Sequence, residues 1–486
     1  MIWLGSCSPA GHSPEPLIVS TPPPTEAAKG PAPELHHNVL GLFDSVAQSV
    51  STMAPTASAV MTIPLVFGSA GNGTWVSYLL ATGCTLIVAL CIARFAKDSS
   101  SPGSLYVYAT SSLPPFLGSA AAWALLMAYV ASGASVVGGF MHYGNVVLGE
   151  FLGFTLPTLV LALVVLAIAT WVAYRDVKVS ARLMLYIELG SVLMISTVFA
   201  LILWQHGLHV DVSQFTLKDV HPSGVRLGLV LAMFSLVGFE SATTLGEEVR
   251  NPLKTIPKAI ILSALCSGVF FMMAAYTEVL AFPASAGPLD QSEAPLSVLA
   301  TVAGVRRLGP VIDICALITM LACTLACATA ASRVLLLMGR RGLVPLRLSG
   351  IHARNGTPHM AVLATGAAMF VLSVPFALGK VSGETLYDWM GSLSTYGFIA
   401  AYALVAVALP IYLRRRQSLT AASVVLSSLA VAAMILVLAG TLYPVPEAPK
   451  NWLPYLFLAY ILGAAGWNSW QARRAPAGLV PAQAAD

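Results

Sequence analysis

Uncharged or nearly uncharged apolar runs of about 20 residues recur along most of this 486-residue chain and constrain its fold more than any other feature. A helix rises about 1.5 Å per residue, so roughly 20 apolar residues cross the hydrocarbon layer of a bilayer. Only 9% of the residues are charged, whereas soluble domains carry roughly 25%. The pattern predicts an all-α membrane protein with twelve transmembrane helices, over residues 42–68, 74–96, 116–149, 155–174, 182–204, 223–245, 257–282, 309–338, 358–378, 386–412, 420–442 and 451–470.

The two ends of the chain depart from this pattern. Prolines are scattered through residues 1–38 and exclude a stable helix there. The segment also lacks the basic start and apolar centre of a secretory signal. We expect residues 1–38 to form a disordered cytoplasmic tail and residues 472–486 to form a short cytoplasmic tail.

Basic residues are distributed unevenly between the predicted loops. Placing both termini in the cytoplasm puts most of the 25 Lys and Arg residues on that side, as the positive-inside rule requires. This predicts a multi-pass protein of the plasma (inner) membrane, and it explains the net charge of +4 without a nucleic-acid partner. At the cytoplasmic end of the sixth run we expect Glu247 and Glu248 to pair with Arg250 and Lys254.

Among the acidic residues inside the apolar runs, two lie farthest from the ends of their runs. Glu240 lies in the sixth run, two residues after Gly238, and Glu188 lies in the fifth. An unpaired charge in the hydrocarbon layer costs several kcal/mol, so such acids commonly mark a pathway for a solute or ions. Two simpler interpretations stay open: Glu240 can cap the helix that follows it, and Glu188 can be a neutral acid hydrogen-bonded to another helix.

Several short segments carry a resemblance to a known family. The sixth run and the loop after it contain Gly238-Phe239-Glu240, Glu247-Glu248, Asn251-Pro252 and Ile256-Pro257, while residues 101–108 read SPGSLYVY, residues 179–182 read VSAR and residues 332–345 read SRVLLLMGRRGLVP. In this order they resemble landmarks of the amino acid/polyamine/organocation (APC) superfamily of transporters, and the chain looks like an amino acid permease. The resemblance covers about residues 42–412 and leaves the last two runs matched only by hydropathy.

The resemblance implies two five-helix repeats, inverted relative to each other, with the first and sixth helices broken at mid-membrane. It places a ten-helix transport core at residues 39–412 and two additional transmembrane helices at residues 413–471. Unwound backbone within a membrane persists only where a cavity or ligand satisfies its N–H and C=O groups. The two breaks therefore predict the substrate site.

The residues at both expected breaks are suited to binding a small amine. In the sixth span Gly238 lets the helix unwind, so that the carbonyls before it face an ammonium group, and Phe239 is either a lid or a packing aromatic. In the first span Pro55 breaks the helix, and the N–H groups after it can bind a carboxylate. The residues predicted to bind substrate are Ala54, Pro55, Thr56, Ala57, Ser58, Phe234, Ser235, Leu236, Val237, Gly238 and Phe239.

The chain departs from the family pattern at two places. Many relatives have a Gly-rich triplet at the first break, and its absence here leaves open whether the ligand carries a carboxylate. Many proton-coupled relatives have a Lys near Ser191, which this chain also lacks. We therefore expect Glu188 or Glu240 to serve in proton coupling or gating.

The function implied is a permease that imports amino acids across the plasma membrane by alternating access, as a secondary active symporter coupled to protons. Its partners are then a small amine-bearing solute, the lipid bilayer and a coupling proton. A polyamine or another organic amine is the alternative substrate. A transporter-like membrane sensor without transport is the alternative of another class, for which the tails are too short to form a signalling domain.

Other classes of activity lack their residues in the sequence. The apolar runs contain no cluster of His and carboxylates, no Ser and His pair and no closely spaced acids, and no Gly-rich phosphate loop with its Lys occurs. We therefore predict no enzymatic activity, no cofactor and no metal site. The sequence indicates no oligomeric state.

Overall fold

The computed structural model describes residues 38–98, 104–175, 177–207, 211–443, 445 and 448–474. The regular elements in these ranges are helices, apart from an isolated bridge between Leu40 and Val249. The α-helices are α1 (Leu42–Met53), α2 (Pro55–Ala57), α3 (Ile63–Ala70), α4 (Thr74–Ala96), α5 (Ser104–Thr110), α6 (Pro115–Leu152), α7 (Thr158–Arg175), α8 (Val177–Gln205), α9 (Val212–Phe215), α10 (Pro222–Leu236), α11 (Pro252–Ala281), α12 (Pro295–Val302), α13 (Leu308–Arg340), α14 (His359–Leu378), α15 (Gly383–Arg415), α16 (Ala421–Leu442) and α17 (Leu453–Arg474).

Ten stretches of the described chain are long and apolar enough to cross a membrane. Large apolar side chains stay exposed on the outer helices, such as Leu193 at 59%, Val371 at 65% and Ile435 at 60%, as expected of surfaces that face lipid. The prediction of an all-α, multi-pass membrane protein is confirmed.

The ten stretches do not correspond one to one with the twelve predicted spans. The first of the ten stretches, Leu42–Ala96, contains two predicted spans. The twelfth predicted span, 451–470, coincides with α17, which is not among the ten. The predicted tails, except Asn38 and residues 472–474, lie outside the described residues, as do residues 101–103 of the SPGSLYVY segment.

Proline and glycine account for several helix ends. Pro115, Pro222 and Pro252 stand in the first turns of α6, α10 and α11, where the missing N–H has no intrahelical partner to lose. Gly153 ends α6 in the left-handed conformation that glycine adopts without strain.

Helices α6 and α15 cross closely at small residues. A Cβ on Gly138 would lie 2.5 Å from the Gly383 carbonyl oxygen, and the Ser394 hydroxyl donates to the Ala128 carbonyl at 2.8 Å. In lipid, such close approach and interhelical hydrogen bonds stabilise packing, because apolar helices gain little from leaving apolar solvent. This crossing positions one tyrosine of α6 and one tyrosine of α15 beside the candidate site.

Candidate functional site

The first span is interrupted where Pro55 predicted it. Between α1 and α2, Ala54 adopts φ 46° and ψ 68°, a left-handed conformation that costs a residue with a Cβ about 1–2 kcal/mol. The α2 turn leads into a π-helix, Ser58–Thr62, before α3 begins. Strained backbone of this kind is concentrated at functional sites.

The sixth span is interrupted at Gly238. The helical hydrogen bonds of α10 end with the Val237 N–H donating to the Met233 carbonyl at 3.0 Å. Gly238 then takes φ 90°, and a short 3-10 helix follows at Ser241–Leu245. The carbonyls of residues 234–237 thus lie where the helical hydrogen bonds of α10 end, as expected from the break predicted at Gly238.

The two breaks lie against each other. A Cβ on Gly238 would lie 2.5 Å from Thr52 Cγ2, so the absence of a side chain at Gly238 allows the two segments to approach each other. The Thr52 and Ser241 hydroxyls are 2.9 Å apart, and the Ala242 N–H donates to the Ser49 hydroxyl at 3.1 Å. The sequence segments proposed for one site are therefore adjacent in space.

Glu188 occupies part of the first break. From α8, its Oε1 accepts the Thr56 N–H at 2.9 Å and the Thr56 hydroxyl at 3.1 Å. The side chain is fully buried, and its Oε2 has no hydrogen-bond partner among the described residues. A donor predicted to bind the ligand's carboxylate is thus engaged by the chain's own carboxylate.

Glu240 is held quite differently. Its Oε1 accepts the Tyr129 hydroxyl at 2.7 Å, and its Oε2 accepts the Tyr402 hydroxyl. The Tyr402 oxygen also accepts the Gly238 N–H at 3.3 Å. The Glu240 side chain makes no capping bond to the 3-10 helix after it, so in this structure it joins the sixth-span break to α6 and α15.

The remaining predicted residues line the breaks or pack behind them. Ala54, Pro55, Ala57, Ser58, Leu236 and Val237 are buried. Ser235 lies 3.0 Å from the Tyr78 hydroxyl. The Phe239 ring is fully buried, with its centroid 5.3 Å from that of Tyr402.

Two aromatic rings pack beside residues that flank the two breaks. The Phe234 and Tyr387 rings meet edge to face, with centroids 5.5 Å apart, and the Tyr387 hydroxyl lies 2.8 Å from the Thr62 hydroxyl. Gly391 makes room for Phe234, since a Cβ there would lie 2.9 Å from its ring. Sequence reasoning missed Tyr387, Tyr129 and Tyr402, whose only signal was a tyrosine hydroxyl within an apolar run.

Two ion pairs hold the segment that follows the sixth-span break. Arg333 donates through Nε and Nη2 to the two oxygens of Glu248, at 2.8 and 2.9 Å, and both side chains are buried. Arg340 pairs with Glu247 at 3.0 Å. The expected pairing of Glu248 with Arg250 or Lys254 is therefore wrong, because α13 brings its own arginine to this carboxylate.

Metal chemistry is not suggested by the arrangement of side chains. Within the described ranges, no group of three or more His, Cys, Asp or Glu residues is placed to hold a metal ion. The acids of the site instead contact tyrosine and threonine hydroxyls and backbone N–H groups.

Comparison with known proteins supplies the family. A family sequence profile described as "Amino acid permease" matches residues 40–466. The chain belongs to the amino acid permease family. The predicted resemblance is confirmed, and the protein is a membrane transporter rather than an enzyme.

Relatives of this permease differ in the solutes their names give. This permease is 27% identical over 402 residues to the branched-chain amino acid permease BcaP of Bacillus subtilis, and the match covers 78% of this chain and 81% of BcaP. It is 26% identical over 350 residues to the low-affinity putrescine importer PlaP of Escherichia coli, covering 70% and 74%. A crystal structure of an Eremococcus coleocola manganese transporter shares the fold at a TM-score of 0.55 and 11% identity, covering 89% of this chain and 94% of that one.

Proposed function

We propose that this permease is a secondary active transporter that imports small amine-bearing solutes, amino acids foremost, across the plasma membrane by coupling to protons. One observation carries the proposal: two helix breaks lie against each other, and the first is bonded to a buried acid, Glu188, whose second oxygen has no hydrogen-bond partner among the described residues. Broken helices at mid-membrane supply N–H donors and C=O acceptors for a zwitterion. The similarity to an amino acid permease and to a putrescine importer supports the solute class.

The proposed architecture is the twelve-helix, five-plus-five inverted repeat, with a transport core at residues 39–412 and two further helices at 413–471. Both termini are proposed to be cytoplasmic. The Glu248 and Arg333 pair then closes the cytoplasmic side, and alternating access requires it to separate.

For an amino acid, the contact between Glu188 and Thr56 suggests how a proton is coupled to the ligand. An ionised Glu188 holds the Thr56 N–H and repels a second carboxylate. A protonated Glu188 is a weaker acceptor and releases the Thr56 N–H to the ligand's carboxylate. The carbonyls of residues 234–237 then accept hydrogen bonds from the ligand's ammonium group. One proton thus enters with one zwitterion.

A second candidate substrate is a polyamine or another organic amine without a carboxylate. The specific observation that favours it is that the Thr56 N–H already has a carboxylate partner. In this case the ionised Glu188 stays in place, and its second oxygen accepts the ligand's ammonium group. The two candidates predict opposite roles for protonation of Glu188.

Uptake into proteoliposomes tests these proposals. We expect labelled leucine to accumulate with an inward proton gradient, and Glu188→Gln to abolish the dependence on that gradient, because the amide cannot titrate. Ser191→Ala, one turn away on α8, is the matched control and should retain it. Accumulation that still follows pH in Glu188→Gln removes Glu188 from coupling, and uptake of putrescine that leucine does not inhibit favours the second candidate.

A further inference from the structure

A lysine and an aspartate form an ion pair beside the outer end of the candidate site. Lys450, in the short 3-10 helix before α17, donates from Nζ to Asp388 Oδ1 at 2.6 Å and to Oδ2 at 2.8 Å. The two side chains keep 30% and 22% of their surface exposed. Asp388 lies on α15, next in sequence to Tyr387.

The pair adjoins a small cavity whose lining includes residues close in sequence to both helix breaks. Asp388 lines this cavity of about 20 Å³ together with Thr62, Phe234, Tyr387 and Gly391. Thr62 ends the π-helix after the first break, and Phe234 belongs to the last turn of α10 before the second. The Phe234 and Tyr387 rings that line this cavity pack edge to face, with centroids 5.5 Å apart.

We propose that Asp388 is an outer docking site for the primary ammonium group of the transported solute, with Lys450 as a tethered competitor that leaves when the solute arrives. The inference rests on the proposed function and adds a second binding position for the same ligand class. The ammonium of Lys450 is itself a primary amine bound to a carboxylate in the proposed entry path. A solute amine can make the same two hydrogen bonds.

The energetics permit this exchange. A partly exposed ion pair contributes about 0–1 kcal/mol, so replacing one ammonium by another costs little. A tethered group competes at an effective concentration in roughly the millimolar range, so a solute can displace it. An acid at the mouth of a cleft also raises the local concentration of cations.

The exchange makes a prediction that a purely structural pair or a simple latch does not. Asp388→Asn removes the docking carboxylate and leaves the positive Lys450, so KM should rise. Lys450→Gln removes the competitor and leaves the carboxylate, so KM should fall. A structural pair or latch is broken equally by either substitution, and KM should then move in the same direction in both.

The experiment measures initial uptake of labelled leucine and of putrescine by the full-length permease in proteoliposomes. We expect KM to change by about 5-fold, upward in Asp388→Asn and downward in Lys450→Gln, with Lys450→Arg close to wild type because it keeps the competing charge. Thermal unfolding of each variant shows whether it is folded, and the double variant Asp388→Asn/Lys450→Gln serves if either single variant is not. If Lys450→Gln is folded, we expect the double variant to have a higher KM than Lys450→Gln. If only Asp388→Asn is folded, we expect the double variant to have a higher KM than wild type.

Two outcomes would overturn the inference. If wild type transports leucine or putrescine and the variants shift KM in the same direction or by less than about 2-fold, the docking site is refuted and the proposed function stands. If wild type transports neither compound, the proposed function fails and the docking site fails with it.

Discussion

Glu188 and Glu240 are both fully buried acids beside a helix break, yet their oxygens are used differently. Both oxygens of Glu240 accept tyrosine hydroxyls, whereas Glu188 uses one oxygen and leaves the other without a partner in the described structure. A buried acceptor left unsatisfied costs about 1–3 kcal/mol, so it is the better candidate for meeting a proton or a ligand. The residue-level contacts thus favour Glu188 for coupling and Glu240 for holding the break.

Gly238 gives a prediction at the residue scale. Gly238→Ala should destabilise the permease by about 2–4 kcal/mol, because the new Cβ is strained at φ 90° and would lie 2.5 Å from Thr52 Cγ2. Thermal unfolding in detergent measures the loss. Thr52→Ser in the same background removes the clashing methyl group and should recover part of it.

Gly190→Ala is the matched control for this substitution. A Cβ on Gly190 meets nothing within 4 Å, and alanine favours the surrounding helix by roughly 1 kcal/mol. We expect a Tm equal to or above that of wild type. Equal losses in both variants would show that Gly238 is not required by its backbone conformation.

At the scale of elements, interrupted helices are useful because neighbouring helices hold the loose backbone. The break in the sixth span is bound to α1 through Thr52 and Ser241, and to α6 and α15 through two tyrosines. The break in the first span is bound to α8 through Glu188. A change in the Glu188 contact would therefore alter how α8 is joined to the first span, which is how the proposed protonation of Glu188 would move these helices.

The ion pair between α13 and the segment after the sixth-span break gives a prediction at this scale. Arg333→Met should destabilise the permease by about 3–5 kcal/mol, because it leaves the buried Glu248 carboxylate without its cation. Adding Glu248→Met should restore much of the loss. Unfolding of the single and double variants in the same detergent gives the comparison.

The partly exposed neighbouring pair is the control. Arg340 and Glu247 keep 34% and 25% of their side-chain surface exposed, so Arg340→Gln should cost at most about 1 kcal/mol. A loss as large as that of Arg333→Met would mean that burial does not set the strength of these pairs.

At the scale of the whole molecule, the Asp388 cavity and the buried ion pair involve opposite ends of the sixth span. Phe234, which lines the Asp388 cavity, precedes the break at Gly238, whereas Glu248, which pairs with Arg333, follows it. Placing the basic loops in the cytoplasm makes the cavity extracellular and the buried pair cytoplasmic. This orientation is required for Asp388 to capture an imported solute.

Cysteine labelling on intact cells tests the orientation. Ser285, between α11 and α12, and Ala353, between α13 and α14, are both exposed. A membrane-impermeant maleimide should label Ser285→Cys but not Ala353→Cys until the cells are lysed, after subtraction of wild-type labelling. The reverse result would invert the topology and exclude capture of an external solute at Asp388.

The sequence by itself determined the helical membrane fold, and its family resemblance, together with Pro55 and Gly238, indicated the positions of the two breaks. Apolar runs of membrane-spanning length require helices, and Pro55 and Gly238 mark points where a helix loses a hydrogen bond or permits a left-handed turn. Its motifs also identified the family. These features are local, so they can be read from neighbouring residues.

Only the tertiary structure decided which groups the breaks and acids contact. Tyr129 and Tyr402 are 111 and 162 residues from Glu240, and Arg333 is 85 residues from Glu248, so no local pattern pairs them. The same holds for Glu188, whose bond to Thr56 spans 132 residues. Helix packing selects one partner among many similar hydroxyls and charges, and that choice assigned a proposed ligand donor to the chain's own carboxylate.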